Sequence, residues 1–234
     1  MNYEVDAAVF ERFPGFRRAV VVARDLDNAR EVPELEATLR GLEEALRSEP
    51  GDPLADPRLT AWMEAFRALE LNPKKFPPSV VNLVKRVRGG KPLPFVNPLV
   101  ALFNCASLEH RIPCGGDDLK VVTGNLALRF ASGDETYRPL GQPEATEHPR
   151  PGEVVYLDTD SGEVFCRAWC WKNGDVSKIL PATREVAINL DGMEPVSLPD
   201  LERAAQILAE QIQSLLGGRT EIHLLTPEQR SFEL

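Results

Sequence analysis

The chain has 234 residues, 43% hydrophobic and 27% charged, which is enough apolar material for a packed core and too much for intrinsic disorder. A formal net charge of −9 speaks against a protein that coats DNA or an anionic membrane. No apolar run approaches the roughly 18 residues of a membrane span, and the start MNYEVDAAVF lacks the layout of an export signal, so a cytoplasmic protein is expected.

Four cysteines, Cys105, Cys114, Cys166 and Cys170, contain no Cys-x-x-Cys pair, and the three histidines are scattered. Such spacing gives neither a disulfide framework nor a metal site, so thiols acting as small apolar groups, no metal and no cofactor are expected.

The first apolar run, FRRAVVVARD at 16–25, follows Pro14 and Gly15 and reads as a buried strand. Over 33–48, Leu35, Leu39, Leu42 and Leu46 recur at helical spacing among charges, which predicts a surface helix with one apolar stripe. Asp56 before Pro57 is a cap-and-proline start, and Leu59, Trp62, Met63, Phe66 and Leu69 mark the buried side of the helix it opens. Pro73, Pro77 and Pro78 break the chain, and a short helix over 79–88 ends at Gly89 and Gly90.

The segment 72–91, NPKKFPPSVVNLVKRVRGGK, carries Lys74, Lys75, Lys85, Arg86, Arg88 and Lys91 and no acid. On an acidic protein this is the footprint expected for an RNA phosphate backbone; it reads equally as a solvated helix face whose cations suit the helix dipole.

Asn97 before Pro98 repeats the start signal, with Leu99, Val100, Phe103 and Leu108 on the apolar side. Asn104, two turns further on, has no capping task. It is expected to hydrogen-bond the neighbouring loop and fix its shape, because a buried unpaired amide would cost about 1–3 kcal/mol. On that view, Asn104→Leu disorders the loop before it touches any chemistry.

Beyond Pro113 the pattern turns to alternating or β-branched runs, predicting strands over 120–123, 125–130, 153–158, 164–171, 176–179 and 185–190. Turns such as SGDE, HPRPGE and DTDSGE separate them. An amphipathic helix in LPDLERAAQILAEQIQSLLGG and a short strand over 220–225 close the chain. The predicted class is α+β, a helical N-terminal part followed by a mostly antiparallel sheet flanked by helices. A single domain over 1–234 is expected, with a strand and helices to 77, a core over 78–192 and a closing helix and strand over 193–234.

No phosphate loop, dinucleotide fingerprint, nucleophile elbow or zinc-protease helix occurs. The stretch PFVNPLVALFNCASLEHRIPCGGDD, 94–118, resembles instead the tRNA-editing (B3/B4) module of the beta subunit of bacterial phenylalanyl-tRNA synthetase. There a segment P-x-N-N-V-V-D-V-T-N-Y-x-x-x-E-x-x-x-P leads into a sheet, and Asn97, Val100, Asn104, Glu109 and Pro113 fall at matching places. LALRFASGDET is similar to the family's I-x-V-R-x-A-x-x-G-E, through Arg129, Ala131, Gly133 and Glu135. VSKILPATREVAINLDG is similar to S-x-V-x-x-x-T-x-x-V-x-L-E, through Ser177, Thr183 and Val186. The whole chain looks like a free-standing group of these modules.

The resemblance implies a fold that binds the aminoacylated 3′ end of a tRNA and hydrolyses the ester of a wrong amino acid, acting in trans for want of an adenylating domain. Two departures stand out. Gly115 replaces a histidine of the family's P-x-H-A-F-D, and Asn189 replaces an acid late in its strand. Both are pocket positions, so either the amino acid recognised is no longer tyrosine or hydrolysis has gone.

Ester hydrolysis needs a held water, donors for the oxyanion and a proton acceptor. Asp117 and Asp118, after a Gly115–Gly116 hinge, are the candidate catalytic acids, and they read also as turn caps. Arg167, Trp169 and Trp171 alternate along CRAWCWK and are expected to face one way, stacking a base, lining an amino-acid pocket or filling core. Asn104, Gly115, Gly116, Thr183 and Asn189 complete the expected substrate contacts. Ser177 adds a hydroxyl and Glu153 a carboxylate, and no base is evident to activate a cysteine. A second class stays open, a non-catalytic module that binds a free amino acid or related small molecule.

Overall fold

A computed structural model describes residues 1–234. Two sheets form. The first runs β10-β1-β4-β5-β6-β7, from β1 (Asn2–Val5), β4 (Leu126–Phe130), β5 (Val154–Asp158), β6 (Val164–Arg167), β7 (Lys172–Asn173) and β10 (Ser231–Glu233). The second runs β3-β8-β2-β9, from β2 (Phe16–Arg24), β3 (Cys114–Asp118), β8 (Val186–Met193) and β9 (Arg219–Leu225). Only β1 and β4 pair in parallel. The helices are α1 (Ala7–Arg12), α2 (Pro33–Ser48), α3 (Pro57–Ala68), α4 (Ser79–Arg88), α5 (Pro98–His110) and α6 (Leu198–Leu216). The class is α+β, with two sheets where the sequence suggested one. None of the helices is long and apolar enough to cross a membrane.

The start signals work as read. Asp56 Oδ1 accepts from Arg58 N at 2.8 Å, and Asn97 Oδ1 accepts from Val100 N at 3.0 Å. Asn97 does more, since its Nδ2 donates to Ile179 O at 3.0 Å and ties the start of α5 to a distant loop.

The apolar run of β2 places it centrally, between β8 and β9, where both faces are covered. Strand alternation then sorts its neighbours. Val21, Ile188 and Gly116 share the face that packs on α5 and α6; Arg18, Asp191, Asn189 and Gly115 share the face that looks toward the other sheet.

The two glycines of PCGGDD are therefore no hinge. They belong to β3, paired with Asn189 and Ile188 of β8. A Cβ on Gly116 would stand 2.8 Å from Phe103 Cζ and 3.2 Å from Ala187 O, whereas one on Gly115 would meet nothing within 4 Å. Gly116 lets α5 approach the sheet and Gly115 leaves space above it. Gly116→Ala should cost about 1–3 kcal/mol by overpacking, while Gly115→Ala should stay within about 0.5 kcal/mol; urea unfolding of both variants checks the contrast.

Other expectations need correction. Residues 120–123 are not a strand, because Asp118 caps a single 3-10 turn at Leu119–Val121. Residues 176–179 form an irregular segment alongside β3, with Asp118 N donating to Ser177 O at 3.0 Å. The strand expected over 164–171 stops at Arg167, since Ala168 and Trp169 turn left-handed at φ 44° and 65°. The short β1, α1 and β10 carry little sequence pattern and were not foreseen.

Candidate functional site

A cavity of about 510 Å³ lies between the two sheets. Its floor is the inward face of β2, β3 and β8, bearing Arg18, Gly115, Asp117, Asn189 and Asp191. Tyr156 and Cys166, paired across β5 and β6, look back at it, and the turn between β6 and β7 closes the side. Ser79 N donates to Cys170 O at 2.9 Å, which sets the start of α4 against that turn.

Arg18 is 2% exposed and would be costly unpaired. Its Nε and Nη2 donate to the two oxygens of Asp191 at 2.6 and 2.8 Å, and Nη1 donates to the Tyr3 hydroxyl at 2.8 Å. The Tyr3 hydroxyl in turn donates to Asn189 Oδ1. Burial opposes the charge on Arg18, yet the adjoining Asp191 holds its pKa above the ordinary value. Burial raises Tyr3 as well, so the phenol keeps its proton. The Tyr3 ring sits between Tyr156, with centroids 5.6 Å apart, and Phe232 at 5.2 Å.

Asp117 is the second acid of the floor. Burial pushes its pKa up to about 7, against the hydrogen bond from Ser177 Oγ to Oδ1 at 2.5 Å and the charge of Arg18. Its Oδ2 has no partner in the protein. A carboxyl that titrates near neutrality can take a proton from water. Cys114, Cys166 and Cys170 share the cavity, and burial raises all three, so they stay thiols rather than nucleophiles. No three His, Cys, Asp or Glu side chains converge to hold a metal ion. Tyr156 and Trp169 line the cavity, while Trp169 Nε1 is a buried donor without a protein acceptor, closed off from the cavity space.

The rim is marked by the exposed Asn82, Leu140 and Asn173. Beside it Phe76 meets Trp171 edge-on with centroids 4.8 Å apart. Lys75 Nζ stands 5.3 Å over the Phe76 ring and Lys172 Nζ 5.8 Å over that of Trp171.

The structure thus brings together Asp117, Gly115, Gly116, Asn189, Trp169 and Trp171 around one cavity. It places others elsewhere. Asp118, one residue past Asp117, points to the opposite face of β3, where Oδ1 accepts from Lys120 N at 2.9 Å and Oδ2 from Thr183 Oγ1 at 2.7 Å. Asp118 and Thr183 hold a loop and do not line the cavity.

Arg167, Trp169 and Trp171 do not face one way. Arg167 turns outward and grips both oxygens of Glu153 at 2.9 and 3.0 Å and Glu147 at 2.7 Å. Glu153 also accepts from Ala168 N at 3.0 Å, so the pair braces the left-handed turn, a conformation costing non-glycine residues about 1–3 kcal/mol each. Trp169 is locked among Phe13, Phe16 and Trp62 at centroid distances of 4.9, 4.9 and 5.1 Å.

Asn104 forms no side-chain hydrogen bond, because its half-buried position on α5 leaves it nothing to support and Ser107 does the work expected of it. The Ser107 hydroxyl accepts from Cys114 N at 3.1 Å. Ser107→Ala should cost about 1–3 kcal/mol in thermal unfolding by orphaning that N–H, and Asn104→Leu should cost less.

Of the basic residues, Arg88 caps the end of α2, donating to Arg47 O at 2.9 Å, Glu49 O at 2.8 Å and Gly51 O at 2.8 Å, and Arg86 donates to Pro92 O at 2.9 Å. These two arginines are committed to the framework. Lys74, Lys75, Lys85 and Lys91 are exposed, and their ammonium groups have no hydrogen-bond or ion-pair partner.

Residues 61–213 match the B3/4 domain model. The chain belongs to the B3/4 domain family. No curated protein is significantly similar in sequence. Among solved structures, a crystal structure of an N-terminal fragment of the phenylalanyl-tRNA synthetase beta subunit from Pyrococcus horikoshii aligns with a TM-score of 0.47 at 11% identity. The alignment covers 93% of this chain and 49% of that one, so the chain spans about half the length of that fragment.

Within this B3/4 domain, Gly115, Asp117, Asn189 and Asp191 lie in the matched stretch, while Arg18 lines the cavity from outside it and Tyr3, also outside it, backs Arg18 and Asn189. Sequence reasoning missed Tyr3, Arg18 and Asp191. One signal was available, an arginine inside a valine-rich buried run, which demands a buried partner.

Proposed function

We propose that this B3/4 domain is a trans-acting aminoacyl-tRNA deacylase, working as one unit over the whole chain. The reading rests on one observation. A buried acid titrating near neutrality, Asp117, sits in a cavity lined by Trp171 and Lys172, with Phe76 and Lys75 packed beside it. The amino acid enters the cavity, and the unpaired RNA end lies across Phe76 and Trp171, where a base can stack. Lys74, Lys75, Lys85, Lys91 and Lys172 meet the phosphates.

Ionised Asp117 removes a proton from a water, whose oxygen bonds to the ester carbonyl carbon. The bond from that carbon to the ribose oxygen breaks, the ribose oxygen takes the proton back from Asp117, and the free amino acid leaves. Bare backbone at Gly115 lets the ester come close to the sheet.

A complete panel of mischarged tRNAs incubated with the purified protein tests this. At least one should be discharged, with binding that weakens steeply as salt rises. If none is discharged while free amino acids raise the melting temperature, the domain is a binding module instead.

A further inference from the structure

The two carboxyl oxygens of Asp117 stand in different settings. Oδ1 accepts from the hydroxyl of Ser177, a residue 1% exposed. Oδ2 has no partner and keeps contact with solvent, which at this position means the cavity that Asp117 lines. Proton counting separates the two further. The Ser177 hydroxyl carries a single proton and makes no other side-chain bond, so that proton goes to Oδ1. A second proton arriving at the carboxyl finds Oδ1 taken and settles on Oδ2.

The hydroxyl is itself held in place. Asp117 lies on β3, the edge strand of its sheet, and residues 176–179 run along that edge, with Ser177 O accepting from Asp118 N at 3.0 Å. To one side of Ser177, Asp175 accepts from Gly141 N at 2.8 Å and from Lys178 Nζ at 2.7 Å. To the other, Ile179 O accepts from Asn97 Nδ2 at 3.0 Å, and Leu180 N donates to Thr183 Oγ1 at 3.0 Å. Thr183 Oγ1 in turn donates to Asp118 Oδ2 at 2.7 Å. Asp118 and Thr183, outside the cavity, thus fix the segment whose hydroxyl reaches into it.

Nothing else restrains the carboxyl. The charged and titratable groups that face it from the other strands are Arg18 on β2, Tyr156 on β5 and Cys166 on β6, and none of them bonds to it. The terminal torsion of an aspartate is broad, so without Ser177 either oxygen could turn toward the cavity. We infer that Ser177 is a positioning residue: its hydroxyl occupies Oδ1 of Asp117 and confines proton exchange to Oδ2, the oxygen that meets an occupant of the cavity. The inference rests on the deacylase reading and names what aims the base within it.

Carbon-13 NMR of protein labelled at the aspartate carboxyls follows the titration, with Asp117→Asn assigning the signal. The wild-type midpoint should lie at about 7. Ser177→Ala takes a charge-assisted hydrogen bond from the ionised form and should raise the midpoint by about one unit. The pH at which tRNA discharge levels off should rise with it, and kcat at neutral pH should fall several-fold while KM stays nearly unchanged. Ser177→Thr keeps a hydroxyl and should restore both. Ser177→Cys, close in size but a weak donor, should behave as the alanine variant does, and it keeps the test open should alanine loosen the fold. An unchanged midpoint in the folded alanine and cysteine variants overturns the inference and leaves deacylation standing. A midpoint that moves while the rate profile stays put overturns Asp117 as the base and with it the positioning role. If the wild type discharges no tRNA, the deacylase reading falls, and a raised midpoint still upholds the hold of Ser177 on Oδ1.

Discussion

Replacing Asp191 with alanine should remove about 3–5 kcal/mol of folding stability, enough to unfold a large fraction of a marginally stable domain. The reason lies in what remains. Arg18 is 2% exposed, so its guanidinium would lose both carboxylate bonds with no other protein acceptor to replace them. The Tyr3 hydroxyl is a poor substitute for a full charge. Replacing both members of the pair, Arg18→Met with Asp191→Leu, should restore most of the loss, since apolar side chains of similar size fill such a position without a desolvation cost. Urea unfolding of the single and double variants distinguishes these cases; a single variant within 1 kcal/mol of wild type would contradict the buried pairing.

Asp117→Asn should lower the rate of discharge by about 10²–10⁴-fold, the usual scale for a lost general base. The wild-type rate should climb with pH and level off above about 7, as Asp117 ionises. Stability should move the opposite way. An ordinary aspartate has a pKa near 3.9 unfolded, and Asp117 in the fold is raised to about 7, so between those values the native state binds the extra proton. Stability from this group is complete below about pH 4 and declines through pH 7, with a slope of up to about 1.4 kcal/mol per pH unit. The asparagine variant lacks that slope and should be more stable than wild type at pH 8. Unfolding curves of both proteins from pH 4 to 8 check the sign, and a wild type that loses no stability relative to the variant as pH rises would place Asp117 in a wetter setting.

The helices were legible because their signals are local. Asp56, Asn97 and the leucine spacing of 33–48 depend only on near neighbours, and each element starts where those residues say. The cavity was legible at Gly115 and Asn189, which the family pattern marks, and at Asp117, read from the acid pair that follows the glycines. It was illegible where partners are far apart in sequence. Nothing near Arg18 announces Asp191, and nothing near Tyr3 announces Asn189, 186 positions away. PCGGDD reads as a turn because glycine is rare in strands; only the long-range approach of Phe103 explains why a strand needs it there. CRAWCWK alternates like a strand, and a brace from Glu153 bends it into a turn that alternation cannot reveal.

The division of labour around the cavity has a bearing on how readily its preference could drift. Arg18, Asp191 and Trp169 are woven into the framework, so changing them risks the fold. Asn82 and Leu140 at the lip carry no side-chain bond to anything. Natural drift or a laboratory library confined to those two positions could reshape what enters while the scaffold beneath stays intact, which makes the entrance the evolvable part of this molecule.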